Sequence, residues 1–115
     1  MRRTTAVPVF ALIALSVAAC AEPLSFRGSE GRTVTASLGQ EVRITLGTVG
    51  PGAYESPPAV SSLVVHFLDM AYVGPAVPSG PTQEFRFQAV AVGRAIITFH
   101  HSGNNPTVSD TVDVR

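Results

Sequence analysis

Few side chains in this sequence could do chemistry. His100 and His101 stand together, Ser102 follows, and His66 and Asp110 lie elsewhere in the chain. A His pair suggests a metal, but neighbours on an extended strand point to opposite faces and cannot easily hold one ion. If the strand has ended by His100, a turn could gather the pair with His66 or Asp110. The simpler reading places His100 on an exposed strand face and His101 at the opening of a loop, so no metal is assigned. Ser102, His101 and Asp110 also supply the residue types of a hydrolase triad. No nucleophile elbow of the Gly-x-Ser-x-Gly kind surrounds Ser102, however. The acids are scattered along the chain, and no P-loop or dinucleotide fingerprint occurs. These residues point away from an enzyme and from any cofactor.

The remaining reactive group is Cys20, the only cysteine among 115 residues. One Cys allows neither an internal disulfide nor a multi-Cys zinc site. Its surroundings say more. Met1-Arg2-Arg3 is basic, and Ala6 to Ala19 is apolar apart from Ser16. A helix of that length spans roughly 21 Å, short of a ~30 Å bilayer core, so the segment reads as a signal peptide. Val17-Ala18-Ala19-Cys20 resembles the lipobox of bacterial lipoproteins. That resemblance implies cleavage before Cys20 and lipidation of its sulfur. Ala21 follows, with no Asp there, which by the family's sorting rule favours the outer membrane of a Gram-negative cell. The alternative is an ordinary secretory signal with a free Cys nearby. Each buried CH₂ of an acyl chain contributes about 0.8 kcal/mol, and stable anchoring needs two chains or signals. A multiply acylated Cys20 meets that need. The expected location is therefore the bacterial cell envelope, with the lipid bilayer as one partner.

Removing residues 1–19 leaves 96 residues, in which six arginines face eight acids and the net charge is near −2. Such a chain has no field to gather nucleic acid. With 45% apolar and 14% charged residues, the full 115-residue sequence is not that of a disordered chain. Eighteen of the 96 residues are Gly or Pro, which disfavours helices and suits many short strands. Residues 20–31 read as the lipidated Cys and a tether that could pair late as an edge strand. Residues 32–115 read as one domain.

Within that domain apolar residues recur with period two, the mark of strands. The expected strands are Thr33 to Ser37, Glu41 to Leu46, Val60 to Leu68, Ala71 to Val73, Gln83 to Val90, Arg94 to His100 and Val108 to Val114. Val60 to Leu68 is apolar on both faces and reads as a central strand. About seven short strands with spaced turns predict an all-β, immunoglobulin-like sandwich, with a closed barrel as the alternative. The expected core is Val42, Ile44, Leu46, Leu63, Val65, Phe67, Phe85, Phe87, Ile97, Phe99, Val112 and Val114. Asp110 is expected to stay out of it.

If consecutive strands reverse, the long loops between the second and third, fourth and fifth, and sixth and seventh strands (B–C, D–E and F–G) emerge at one end. They run from Gly47 to Ala59, Ala76 to Thr82 and His101 to Thr107. Pro limits a loop before it binds, which lowers the ordering cost of contact. The candidate binding residues are Gly50, Pro51, Gly52, Ala53 and Tyr54, then Pro78, Ser79 and Gly80, then His101, Ser102, Gly103 and Asn104. Tyr54 is the best single contact residue, unless it packs down onto the sandwich rim.

Leu38 to Arg115 resembles the chagasin-type inhibitors of papain-like cysteine proteases. The residues that carry the resemblance are Gly39-Gln40-Glu41-Val42-Arg43-Ile44-Thr45-Leu46, Gly80, Phe85-Arg86-Phe87-Gln88-Ala89 and Gly93-Arg94-Ala95-Ile96-Ile97-Thr98-Phe99. The resemblance implies an immunoglobulin-like sandwich that blocks a protease with this loop triplet. Departures fall in the loops. Where the family has Asn-Pro-Thr-Thr-Gly and an aromatic, Gly50-Pro51-Gly52-Ala53-Tyr54 keeps the Pro and the aromatic. Where it has Arg-Pro-Trp, His100-His101-Ser102-Gly103 stands instead. The reading is a non-catalytic envelope lipoprotein that binds a protein partner through clustered loops. A chagasin-like inhibitor and a structural subunit that pairs through a sheet edge are the alternatives.

Overall fold

A computed structural model describes residues 21–47, 51–74 and 82–115. Cys20, Gly50, Pro78, Ser79 and Gly80 lie outside the described residues, as does the signal segment.

Alternation builds the long strands. In β3 (Glu41–Gly47), β6 (Thr82–Ala89) and β8 (Val108–Val114), every second side chain is buried. The other elements are β1 (Leu24–Arg27), β2 (Thr33–Ala36), β4 (Ala59–Val60), β5 (Val65–Val73) and β7 (Gly93–Phe99). They form two four-stranded sheets, ordered β1-β3-β6-β5 and β2-β8-β7-β4. The fold is an all-β, immunoglobulin-like sandwich. Phe85, Phe87 and Ile44 of one sheet meet Ile97, Phe99 and Val112 of the other, all fully buried. The Phe85 and Phe99 rings lie 4.9 Å apart across the interface. Each fully buried Phe contributes roughly 1.5–3 kcal/mol, and the ring pairing adds about 0.5–1.5 kcal/mol.

The tether pairs as an edge strand, the option its sequence left open: β1 pairs in parallel with β3 from Leu24 opposite Val42 to Arg27 opposite Thr45. Other expectations are corrected. The expected third and fourth strands are redistributed. Only β4 remains near Val60, and Val65 runs without a break into Val73 as β5. β5 is an edge strand, not a central one. Leu63, placed in the core by its apolar character, sits on the turn before β5 and is 90% exposed.

A bulge explains why β5 does not stop at Asp69. Phe67 pairs with Phe87, but Asp69 pairs with Arg86, so Leu68 is the extra residue. One added residue switches the parity of everything after it. Asp69 consequently shares the outer face with Arg86, and Met70 turns inward opposite Phe85. Without the bulge, Asp69 would point into the core.

The outer face of this sheet carries a charge problem and its solution. Arg43 and Arg86 are directly opposite each other, a repulsive cross-strand pair. Glu41 lies between them, 2.7 Å from the Nε of Arg43 and 2.9 Å from that of Arg86. Asp69 takes the other side of Arg86 at 2.6 Å. Hydrogen bonds from Arg86 and then Arg43 hold the Glu41 carboxyl down at about 2. A lowered folded value means that this contribution is present above the ordinary Glu range and is lost as pH falls towards 2. Glu41→Gln is expected to lower stability by about 1–2 kcal/mol at neutral pH, with the gap closing in acid. Urea denaturation at pH 7 and pH 3 reads both.

Asp110 is fully buried, contrary to expectation. It shares parity with Val112 and Val114, and alternation prevails over the aversion to burying a charge. The chain crossing from β1 to β2 lies over it. The Ser29 amide donates to Oδ1 at 3.4 Å, while Oδ2 has no partner among the described residues. Gly28 leaves the room: a Cβ there would lie 2.7 Å from a Leu46 methyl and 2.9 Å from Asp110 Oδ2. Burial pushes the Asp110 carboxyl up, against the lowering pull of the Ser29 and Arg32 amides.

Candidate functional site

The strand directions bring the loop bases together. The end of β3 meets the start of β6, with Gly47 opposite Thr82. Thr82 also pairs with Val73, the end of β5. Phe99 and Val108, which flank the third loop, pair at the corresponding end of the second sheet. The strand ends that flank all three long loops therefore lie at one end of the sandwich.

Tyr54 joins the first loop to the rest. It is 5% exposed, so it is not an open contact residue but the anchor of its loop. Its ring meets Phe99 and His101 edge-on, at 6.5 and 4.9 Å between centroids. Its hydroxyl donates to the Pro106 carbonyl at 3.3 Å. Beneath it lies Gln83, fully buried at the start of β6. The Tyr54 amide donates to Gln83 Oε1 at 2.7 Å, and Gln83 Nε2 donates to the Tyr54 carbonyl at 2.9 Å. One amide side chain thus completes the backbone pairing that no strand supplies there. Gln83 was absent from the expected site. Its parity with Phe85, Phe87 and Ala89 was the available signal.

The first and third loops are zipped to each other. Tyr54 and His101 form an isolated antiparallel bridge. The Ser102 amide donates to the Ala53 carbonyl at 2.9 Å, and the Ala53 amide donates to Ser102 Oγ at 3.0 Å. The Glu55 amide donates to the His100 carbonyl at 2.8 Å. His101 Nδ1 accepts from the amides of Gly103 and Asn105, at 2.8 and 3.4 Å, and so folds the third loop on itself. Gly103 backs onto the Pro51 carbonyl. Pro51, Gly52, Ser102, Gly103 and Asn104 face solvent on the tips.

Gly52 is required where it stands. Its φ is +108°, and a Cβ would lie 2.9 Å from both the Gly103 nitrogen and His101 Cε1. Gly52→Ala is expected to destabilise the fold by about 1–3 kcal/mol and to loosen the zipped loops first. Amide exchange at Ala53 and Ser102, faster in the variant than in the wild type, is the readout.

The triad residues are engaged elsewhere. Ser102 Oγ receives the Ala53 amide, His101 Nδ1 receives two amides, and Asp110 lies under the β1–β2 crossing. His66 pairs with Gln88 at the far end of the sheet, so it cannot join His101 around a metal. Among the described residues no group of three or more His, Cys, Asp or Glu is gathered. What this end offers is a preorganised polar ridge made of backbone and small side chains.

No protein-family profile and no curated protein matches the chain. Among solved structures, a cysteine protease inhibitor, EhICP2, from Entamoeba histolytica is similar in fold. It has a TM-score of 0.65 at 13% identity, over 82% of this chain and 96% of that one. Amebosin matches at a TM-score of 0.46 and 14% identity, over 81% of this chain and 98% of that one. The first likeness shows the fold alone, a two-sheet β-sandwich shared with that inhibitor.

Proposed function

We propose that this chain is a non-catalytic, lipid-anchored envelope protein whose loop end binds a protein partner, in the manner of a chagasin-like inhibitor seated in the cleft of a papain-type cysteine protease. The observation that carries this reading is the loop end itself. Two loops are zipped by their own backbones, stand beside the paired ends of β5 and β6, and are clamped from below by Gln83. Loops already ordered lose little freedom on contact, so more of the contact energy appears as affinity. The fold shared with a protease inhibitor supports the choice of partner class. The sheet edge is the weaker candidate, because the β5 edge carries a bulge and a charge at Asp69, which blunt edge pairing.

The test is titration of papain-type proteases with the acylated chain in detergent. Dose-dependent inhibition is expected, weakened about tenfold or more by Pro51→Asp combined with Asn104→Asp, a loss of roughly 1.4 kcal/mol. Inhibition indifferent to those tip changes, or none at micromolar protein against any protease tried, sinks the reading.

A further inference from the structure

The end opposite the loops is apolar where it should be polar. Three turns meet there: Ser37 to Gln40, Leu63 to Val64, and Val90 to Val92. They are tied together, since the Gly39 amide donates to the Ala89 carbonyl and the Val90 amide to the Val64 carbonyl. Among the described residues seven large apolar side chains are exposed, and four of them are on these turns. Leu38 is 55% exposed, Leu63 90%, Val90 50% and Val92 65%. Turns on a solvated end normally carry polar residues, so this clustering asks for a cover.

The chain's own course says what covers it. β1 runs parallel to β3 and starts opposite Val42, so Ala21, Glu22 and Pro23 lie at this same end. Gln40 Nε2, on the first of the three turns, donates to the Glu22 carbonyl at 2.8 Å. Glu22 is therefore fixed to the sandwich, and Cys20 is two residues away, a reach of about 7 Å. A lipid on Cys20 would hold these turns at the membrane surface, where apolar side chains bury by ~5–10 Å into the headgroup and acyl boundary.

We propose that the turn end is a membrane-docking face. Leu38, Leu63, Val90 and Val92 insert into the bilayer interface around the acylated Cys20, and the loop end points away from the membrane. The docking rests on the lipoprotein reading. It makes the anchor a rigid stand and not a leash, because the acyl chains and the apolar turns contact the bilayer together.

The sequence contains no Trp, so each single Trp substitution yields one emitter. The full acylated chain carrying Leu63→Trp, Val92→Trp or Asn104→Trp is reconstituted into phosphatidylethanolamine/phosphatidylglycerol vesicles with brominated acyl chains. Emission at positions 63 and 92 is expected to move to the blue and fall about twofold or more, with position 104 unaffected. A nitroxide on Val92→Cys, the sole free thiol once Cys20 is acylated, gives a second depth reading by oxygen accessibility. Mass spectrometry of the N-terminal peptide reports the acylation separately. Acylated protein without quenching at 63 and 92 overturns the docking and leaves the anchor intact. Blue-shifted emission without bromine quenching also overturns it, assigning the face to a second copy or a protein. An unacylated Cys20 overturns both.

Discussion

Replacing Gln83 with leucine is expected to cost about 2–4 kcal/mol and to release the first loop. The side chain is fully buried and serves one residue twice, accepting from the Tyr54 amide and donating to the Tyr54 carbonyl. Leucine keeps the volume and removes both bonds. A buried polar group left without a partner costs about 1–3 kcal/mol, and here a donor and an acceptor are orphaned together. Urea denaturation measures the global loss. Amide exchange at Tyr54, Ser102 and Gly103 measures the local one, since these groups lie in the zipped loops. Under the proposed function, inhibition of a protease should weaken more than the exposed tip residues alone would explain, because an unclamped loop must be ordered on binding. A loss under 1 kcal/mol with unchanged exchange would show that Gln83 does not clamp the loop.

Asp110→Asn should raise stability at neutral pH by about 1 kcal/mol. The wild-type carboxyl is buried, and its Oδ2 has no partner among the described residues. Burial raises its folded pKa above the unfolded value. The protonated form is thus favoured in the fold, and its contribution is complete below the ordinary Asp range. It is lost as pH rises through the raised folded value. Asparagine keeps an oxygen for the Ser29 amide and carries no charge to desolvate. The variant should lead the wild type at pH 7 and meet it in acid. Thermal unfolding across pH 4–8 tests this, and a variant less stable than wild type at pH 7 would falsify it. Glu41 behaves oppositely, losing stability on acidification, so a Glu41→Gln background separates the two carboxyls.

Most of the fold can be read from alternation. Val42, Ile44 and Leu46, Phe85, Phe87 and Ala89, and Ala95, Ile97 and Phe99 are buried as period two predicts. The rule fails at Leu68, where a bulge resets the parity, because a bulge is a property of a strand pair. The rule holds at Asp110 and Gln83, where a polar residue takes an inward position. Polarity argued against burial there, but the partners were remote: Ser29 is 81 residues from Asp110, and Tyr54 is 29 from Gln83. Tyr54 was legible as special, but whether it faced out or down depended on His101 and Phe99.

The amino-acid sequence by itself determined the class of fold, the strand parities and the crowding of Gly and Pro into three long loops. These are local properties, carried by side-chain period and backbone freedom. Tertiary structure alone decided which polar residues could be buried, which loops touch, and that the turns beside Ala21 to Pro23 stand opposite the loop end. Those depend on hydrogen bonds and strand registers between segments far apart in the chain. No periodicity within a single segment encodes them.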